Sequence, residues 1–190
     1  MKRPLAALVP LALTVPMLAA APAQAAEYTV DCTTGPVALT ESTTSYELVG
    51  DCSTVEVSGS NVKVTFTTIA RLEVTGSNDR FVGDAIDEAV LKEANTHLNV
   101  AQVGAVRSKG ANQTINAKRT GSVVLRGSNN KLNASRVSDL LIVGSNNRVK
   151  VDRLPKLVIR GSVNTVKVAQ GKTKVKVRGA NNIVRVNKRA

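Results

Sequence analysis

The chain of 190 residues has few aromatic side chains, with no tryptophan, two tyrosines and two phenylalanines. Large rings usually supply much of the buried area in a globular core, so this interior has to be built from Val, Leu, Ile and Ala. Apolar residues still make up 43 % of the chain, which argues against a disordered protein. The 26 lysines and arginines and 14 acidic residues argue against an integral membrane protein.

The first 25 residues have the pattern of a signal peptide. Lys2 and Arg3 precede a short apolar run, and Ala23-Gln24-Ala25 is the small-x-small pattern at which signal peptidase cleaves. The apolar run is too short to span a bilayer comfortably, so we expect no transmembrane segment. The mature chain is expected to be 26–190, secreted, and extracellular or associated with the cell wall.

The sequence has two cysteines, Cys32 and Cys52, both near the expected new N-terminus. Outside the cytoplasm an isolated pair most economically forms a disulfide. Neither cysteine has a His or Cys neighbour at the spacing of a zinc site. We therefore expect a structural Cys32–Cys52 bridge.

A short turn motif recurs along the chain at a fixed spacing. It consists of Gly, a small residue and, in all but one copy, Asn. The glycines of the motif are Gly59, Gly76, Gly110, Gly127, Gly144, Gly161 and Gly179. The steps between successive glycines are 17 or 18 residues, apart from one step of 34. A degenerate copy, Glu93-Ala94-Asn95, falls midway through the longer step. The period is therefore 17 residues throughout, and such repeats indicate stacked units.

When each repeat is numbered from its glycine as position 1, apolar residues return at positions 6, 8, 11, 14 and 16. Alternation at 6 and 8 and again at 14 and 16 is typical of β-strands. Because two short strands bury little by themselves, we predict an all-β, single-domain β-solenoid of about nine coils, with parallel strands in two sheets. Irregular, disulfide-stapled coils are expected over 26–58 and regular coils over 59–190.

Asparagine at position 3 is expected to tolerate the backbone of a tight corner and to stack with its equivalents as an amide ladder. The residues of this predicted ladder are Asn61, Asn78, Asn95, Asn112, Asn129 and Asn146.

The tandem Gly-Ser-Asn-Asn-x-Val units behind a signal peptide resemble the secreted bacterial domain of unknown function 3060. The clearest matches are residues 127–132 and residues 144–149, Gly-Ser-Asn-Asn-Lys-Leu and Gly-Ser-Asn-Asn-Arg-Val. The resemblance covers roughly residues 28–190. It implies the repeat fold and the compartment, and it carries no catalytic residues to transfer.

Charge is distributed unevenly between the two halves of the expected mature chain. Residues 26–100 contain four basic and twelve acidic residues, a net charge of −8, whereas residues 101–190 contain twenty basic and two acidic residues, a net charge of +18. In a solenoid the sequence order is also the axial order. We therefore expect a rod with an acidic end and a basic end.

Basic residues recur at position 17 and, across the corner, at position 5. Cations repeated at strand spacing, about 5 Å, form an electrostatic track for a linear polyanion, such as an anionic cell-wall polymer or polysaccharide. The residues expected to bind it are Lys109, Arg126, Lys131, Arg148, Arg160 and Arg178. A solvated face kept for solubility is the alternative. Sequence-specific nucleic-acid binding is not expected, because the basic half has no aromatic side chain for base stacking.

Side chains for catalysis or metal binding are scarce. His97 is the only histidine, and a general base needs a partner and a cleft, whereas a regular solenoid face is expected to be convex or flat. The one local group of carboxylates that suits a hard cation such as Ca²⁺ comprises Asp79, Asp84, Asp87, Glu88 and Glu93. We expect no enzyme activity, no cofactor and no metal.

These observations predict a secreted, non-enzymatic binding or structural protein whose basic face contacts an anionic envelope polymer. An alternative is an extracellular fibre-type subunit that assembles head to tail, because its ends carry opposite charges and such contacts propagate. A second alternative is a polysaccharide-acting β-solenoid enzyme that uses Asp84 or Asp87.

Overall fold

The structure, a computed structural model, describes residues 27–187, so the predicted signal peptide lies outside the described residues. The elements are β1 (Glu27–Asp31), a 3-10 helix (Cys32–Thr34), β2 (Val37–Leu39), β3 (Ser45–Val49), β4 (Asp51–Val57), β5 (Lys63–Val74), β6 (Arg80–Leu91), β7 (His97–Ser108), β8 (Thr114–Leu125), β9 (Lys131–Ile142), β10 (Arg148–Arg153), β11 (Lys156–Arg160), β12 (Thr165–Val168), β13 (Lys174–Arg178) and β14 (Ile183–Val186). Residues 27–187 contain no helix that is long and apolar enough to cross a membrane.

The strands stack in parallel, each coil one repeat above the last, and this confirms the predicted β-solenoid of about nine coils. Phe81 pairs with Leu98, Leu98 with Ile115 and Ile115 with Leu132, so equivalent residues of successive repeats form continuous columns. All four side chains are fully buried. The 17-residue period is thus the length of one turn around an aliphatic interior.

The five central strands, β5 to β9, are each 12 residues long and run through both strand positions that the sequence predicts. They join all strands into one 14-stranded sheet that follows the coil. The strand pairing between β6 and its neighbours is interrupted at Asp84 and Asp87, which lie at positions 9 and 12. A strand that follows a closed coil has to bend, and these interruptions divide each long strand into three straight segments, one for each side of the coil.

The corner motif uses its glycine and its first asparagine for different purposes. Position 3 has left-handed backbone with φ between 55° and 61° in every repeat from Asn61 to Asn181, which Asn tolerates better than most residues. Position 1 is a point of close approach between coils. A Cβ on Gly127 would overlap the carbonyl oxygen of Gly110.

The amide ladder of the corner runs mainly through position 4, not through position 3 as the sequence analysis predicts. The backbone N–H groups of Gln113, Asn130 and Asn147 each donate to the side-chain oxygen of position 4 in the next coil, at 2.8–2.9 Å. These position-4 side chains are buried, so unpaired amides there would be costly. Within residues 27–187, position-3 side chains bond one another only from Asn95 to Asn78 and from Asn146 to Asn129.

The two ends of the solenoid differ. At the first coil, Cys32 and Cys52 form the predicted disulfide, with a Cα–Cα distance of 4.7 Å, and both are buried. At the last described coil, β13 and β14 each pair with one strand only, as β1 and β2 do at the first. Val175 and Val177, at inward positions 14 and 16, are 41 % and 42 % exposed there. The basic end therefore presents core residues and strand edges that have no partner among the described residues.

Candidate polyanion-binding site

The structure separates the six predicted polyanion-binding residues into two rows, one on each side of the corner. Lys131 and Arg148 are direct neighbours at position 5 of β9 and β10. Arg160 and Arg178 are direct neighbours at position 17 of β11 and β13. All six side chains are exposed.

Lys109 and Arg126 continue the position-17 row on the coils below, and Val143 interrupts it before Arg160. Two unit charges at the spacing of adjacent strands repel by about 1 kcal/mol in water and by several times more near a low-dielectric surface. A bound polyanion would remove that repulsion.

Carboxylates do not neutralise these rows. The five salt bridges among residues 27–187 are Arg71–Glu73, Arg71–Glu88, Lys92–Glu73, Arg107–Glu88 and Lys156–Asp139. None of them includes any of the six predicted residues. Two of the four paired cations, Arg71 and Lys92, lie on the acidic half. The hydrogen bond from Lys92, together with the charges of Lys92 and Arg71, lowers the pKa of Glu73 there.

A groove runs along the solenoid beside the position-5 row, where the sequence analysis expects a convex or flat face. It is shallow and wide open to solvent, has a volume of about 1040 Å³ and is lined by positions 7 to 9 of successive coils. We call it the axial groove. Its position-7 row comprises Asn99, Asn116, Asn133, Lys150, Lys167 and Arg185. Six coils at the spacing of paired strands make it about 24 Å long.

The groove follows from the strand geometry and from small side chains. Positions 7 and 9 project to the same side of a strand, and the chain bends at position 9. The wall of the groove at position 9 is low because three of its residues have small side chains, Ala101, Ser135 and Ala169. Lys118 and Asp152 lie between them. Positions 5 and 7 lie two residues apart on the same strand face, so Lys150 is beside Arg148 on β10. Lys167 and Arg185 continue the position-7 row from Lys150 on the next two coils. The groove and the position-5 row therefore form one basic surface.

A third basic row, missed by the sequence analysis, lies at position 10. Arg119, Arg136 and Arg153 are register neighbours on β8, β9 and β10, and all three are exposed. They directly follow the position-9 residues that line the groove. The signal was present in the sequence as arginine repeated at the 17-residue period.

The five carboxylates proposed as a local cluster occupy different positions of the coil. Asp79 is buried at position 4, and its Oδ1 accepts a hydrogen bond from the Val62 backbone at 2.9 Å. Burial raises the pKa of Asp79 to about 6. Glu88 is engaged by Arg71 and Arg107. Within residues 27–187, no group of three or more His, Cys, Asp or Glu side chains is placed to hold a metal ion.

His97 lies at outward position 5, between Arg80 and Thr114 of the neighbouring coils, and it does not line the axial groove. The groove lining includes one carboxylate, Asp152. The arrangement is therefore suited to electrostatic and hydrogen-bonding contact along an extended chain.

Comparison with known proteins adds a family and no relative of known activity. Neither the curated proteins nor the solved structures include a match to the chain. The family model described as "Protein of unknown function (DUF3060)" matches residues 42–95 and 125–181. These two regions include the repeats that carry the resemblance seen in the sequence, and the chain belongs to the DUF3060 family.

Proposed function

We propose that the protein is a secreted, non-enzymatic binding or structural protein whose basic C-terminal half contacts an anionic polymer of the cell envelope. The observation that carries this proposal is the set of cation rows in strand register without carboxylate partners among the described residues. Secretion, expected from residues 1–25, would place this surface near wall polymers and acidic polysaccharides. The contact depends on charge, because opposite charges along a rod attract over about 8–10 Å at moderate salt.

The test measures binding of the mature chain, 26–190, to isolated cell wall and to an anionic polysaccharide across a salt series. We expect a steep loss of affinity with rising salt, because a protein that displaces counterions from a linear polyelectrolyte shows such a slope. The charge-reversal variant combines Arg126→Glu, Arg148→Glu and Arg160→Glu. It should fold as the parent chain does and bind at least ten times more weakly. Unchanged binding by this variant at low salt would refute the proposal.

A fibre-type subunit that assembles head to tail is the second candidate, and the exposed valines of the last described coil favour it. A second copy could add its β1 to the free edge of β14 and its β2 to that of β13, which would continue the parallel register and cover Val175 and Val177. The acidic N-terminal half would then meet the basic C-terminal half of its neighbour. This candidate predicts concentration-dependent axial oligomers in sedimentation that high salt dissolves.

For assembly, the informative variant is Val175→Lys with Val177→Lys, since both side chains are already exposed. It should abolish the oligomers and leave polymer binding intact. The enzyme alternative is tested separately. It predicts a turnover activity on polysaccharide that is lost in Asp84→Asn or Asp87→Asn.

A further inference from the structure

The axial groove changes its chemistry along its length. The three coils nearest the acidic half contribute Asn99, Asn116 and Asn133 at position 7, and the next coils contribute Lys150 and Lys167, followed by Arg185. One wall therefore passes from neutral amides to cations within a single continuous row. Because the row passes from strand to strand in register along the solenoid, a ligand that used all of it would have to be extended.

The amide part of the wall is held in place by its own hydrogen bonds and retains further bonding capacity. Asn116 Nδ2 donates to Asn99 Oδ1 at 2.5 Å, and Asn133 Nδ2 donates to Asn116 Oδ1 at 2.8 Å. Each amide has two N–H donors and two acceptor lone pairs, so one donor of Asn116 and of Asn133 stays available for a ligand. A row of groups that both donate and accept matches a row of sugar hydroxyls.

The cationic part of the wall favours a ligand with repeated anionic groups. Lys150, Lys167 and Arg185 make no salt bridge to any of residues 27–187. Lys118 on the opposite side adds a fourth cation, and Asp152 is the one carboxylate. Aromatic side chains are absent from the lining, and they are the platforms on which nucleic-acid bases stack. The groove therefore suits carboxylates and hydroxyls better than it suits bases.

We propose that the axial groove binds a single extended strand of an acidic polysaccharide, parallel to the solenoid axis, with carboxylates at Lys150, Lys167 and Arg185 and hydroxyls at the asparagine amides. This inference rests on the proposed function of anionic-polymer binding and deepens it in two respects. It places the ligand in one groove instead of on all basic rows, and it requires an uncharged, hydrogen-bonding part of the ligand.

The experiment compares two triple variants that remove the same charge. The groove variant combines Lys150→Gln, Lys167→Gln and Arg185→Gln. The control variant combines Lys172→Gln, Lys174→Gln and Lys176→Gln, three exposed cations of the basic half that lie outside the groove and outside the position-5 and position-17 rows. Circular dichroism and thermal melting verify the fold of each mature chain. Affinity is measured by calorimetry at 150 mM salt (about physiological ionic strength) for oligogalacturonate and for inorganic polyphosphate of similar charge.

The groove variant should bind oligogalacturonate at least ten times more weakly than the parent chain, and the control variant less than three times more weakly. Equal losses in the two triple variants would overturn the groove assignment while leaving charge-driven binding intact. No loss in either variant would refute the groove assignment, and the charge-reversal variant of the position-5 and position-17 rows then decides the proposed function separately.

A third variant tests the amide part of the wall. Asn116→Val removes the amide from a strand position where a β-branched residue is favourable, and Asn133→Ala, which removes the neighbouring amide, serves the same purpose if the first variant does not fold. Either substitution should weaken binding of oligogalacturonate about three- to tenfold and leave binding of polyphosphate, which has no hydroxyls along its chain, unchanged. An equal effect on both probes, or none on oligogalacturonate, would show that the groove does not recognise a saccharide.

Discussion

The substitution Asp79→Asn tests how the corner ladder stabilises the solenoid. Asp79 is fully buried at position 4, its Oδ1 accepts from the Val62 backbone, and its Oδ2 has no hydrogen-bond partner among the described residues. Asparagine would keep the shape and the acceptor but carry no charge. By the register of the column, its Nδ2 should donate to the carbonyl oxygen of Gly59, as Asn147 Nδ2 donates to Gly127 O at 3.2 Å.

The magnitude follows from the pKa of the buried carboxyl. Burial raises the pKa of Asp79 from 3.8 to about 6, so between these values the folded protein binds a proton that the unfolded chain has released. The contribution of Asp79 to the free energy of unfolding is therefore fully present below about pH 4 and is lost as pH rises through about 6. One pKa unit corresponds to about 1.4 kcal/mol, so above pH 7 the buried charge lowers the free energy of unfolding by about 3 kcal/mol. Asp79→Asn removes this loss.

We expect Asp79→Asn to increase the free energy of unfolding by about 2–3 kcal/mol at pH 7.5, and by less than about 1 kcal/mol at pH 4. For a chain of this size the gain at pH 7.5 corresponds to a rise in Tm of about 4–12 °C. Urea unfolding at both pH values measures the difference. Asp84→Asn, which removes the same charge from an exposed position, should change little at either pH.

The reverse substitution at an equivalent site is Asn130→Asp. It should destabilise the protein by a similar amount, with most of the loss above pH 6. Equal stabilisation at both pH values, or destabilisation at pH 7.5, would show that the buried charge of Asp79 does not destabilise the folded protein.

Three further stability predictions test other parts of the fold by chemical unfolding. Reduction of the Cys32–Cys52 bridge, which closes a separation of 20 residues, should lower the free energy of unfolding by about 3 kcal/mol, and unchanged stability would mean that the bridge does not hold the first coil. Asn147→Ala should lower the free energy of unfolding by about 2–4 kcal/mol, because it leaves a buried backbone N–H and a carbonyl without partners. Asn146→Gly, at the neighbouring exposed corner position, should lower it by less than about 1 kcal/mol. Equal losses would contradict the assignment of the ladder to position 4. Gly127→Ala should cost more than about 2 kcal/mol, because its methyl group would overlap the coil below, and a neutral effect would show that the coils can separate there.

The fold could be predicted because a solenoid repeats one local solution. The 17-residue period and the apolar positions of each repeat, such as Val149 and Val151, already define which residues face inward and which strands become neighbours. The cysteine pair was equally informative, since it had no other partner in the sequence. These features are local or periodic, and no long-range arrangement had to be known.

The ladder and the groove show where the sequence was insufficient. Both residues of each Asn-Asn pair are amides, and only the path of the corner shows that Asn146 points outward with positive φ while Asn147 is buried. Likewise, Lys150 and Asn133 look like ordinary outward residues until the bend at position 9 makes a groove beside them. The predicted position-17 row was visible in the sequence, whereas the relation of position 7 to that bend was not.

The sequence by itself determined the repeat length, the inward columns and the charge of each half, because all three depend on residue type and spacing alone. The tertiary structure decided which of two adjacent asparagines is buried, which described coil exposes its inward valines and where a ligand could lie along the coils. These features depend on the direction of the chain at each corner and bend, and that direction is settled only when the coils stack.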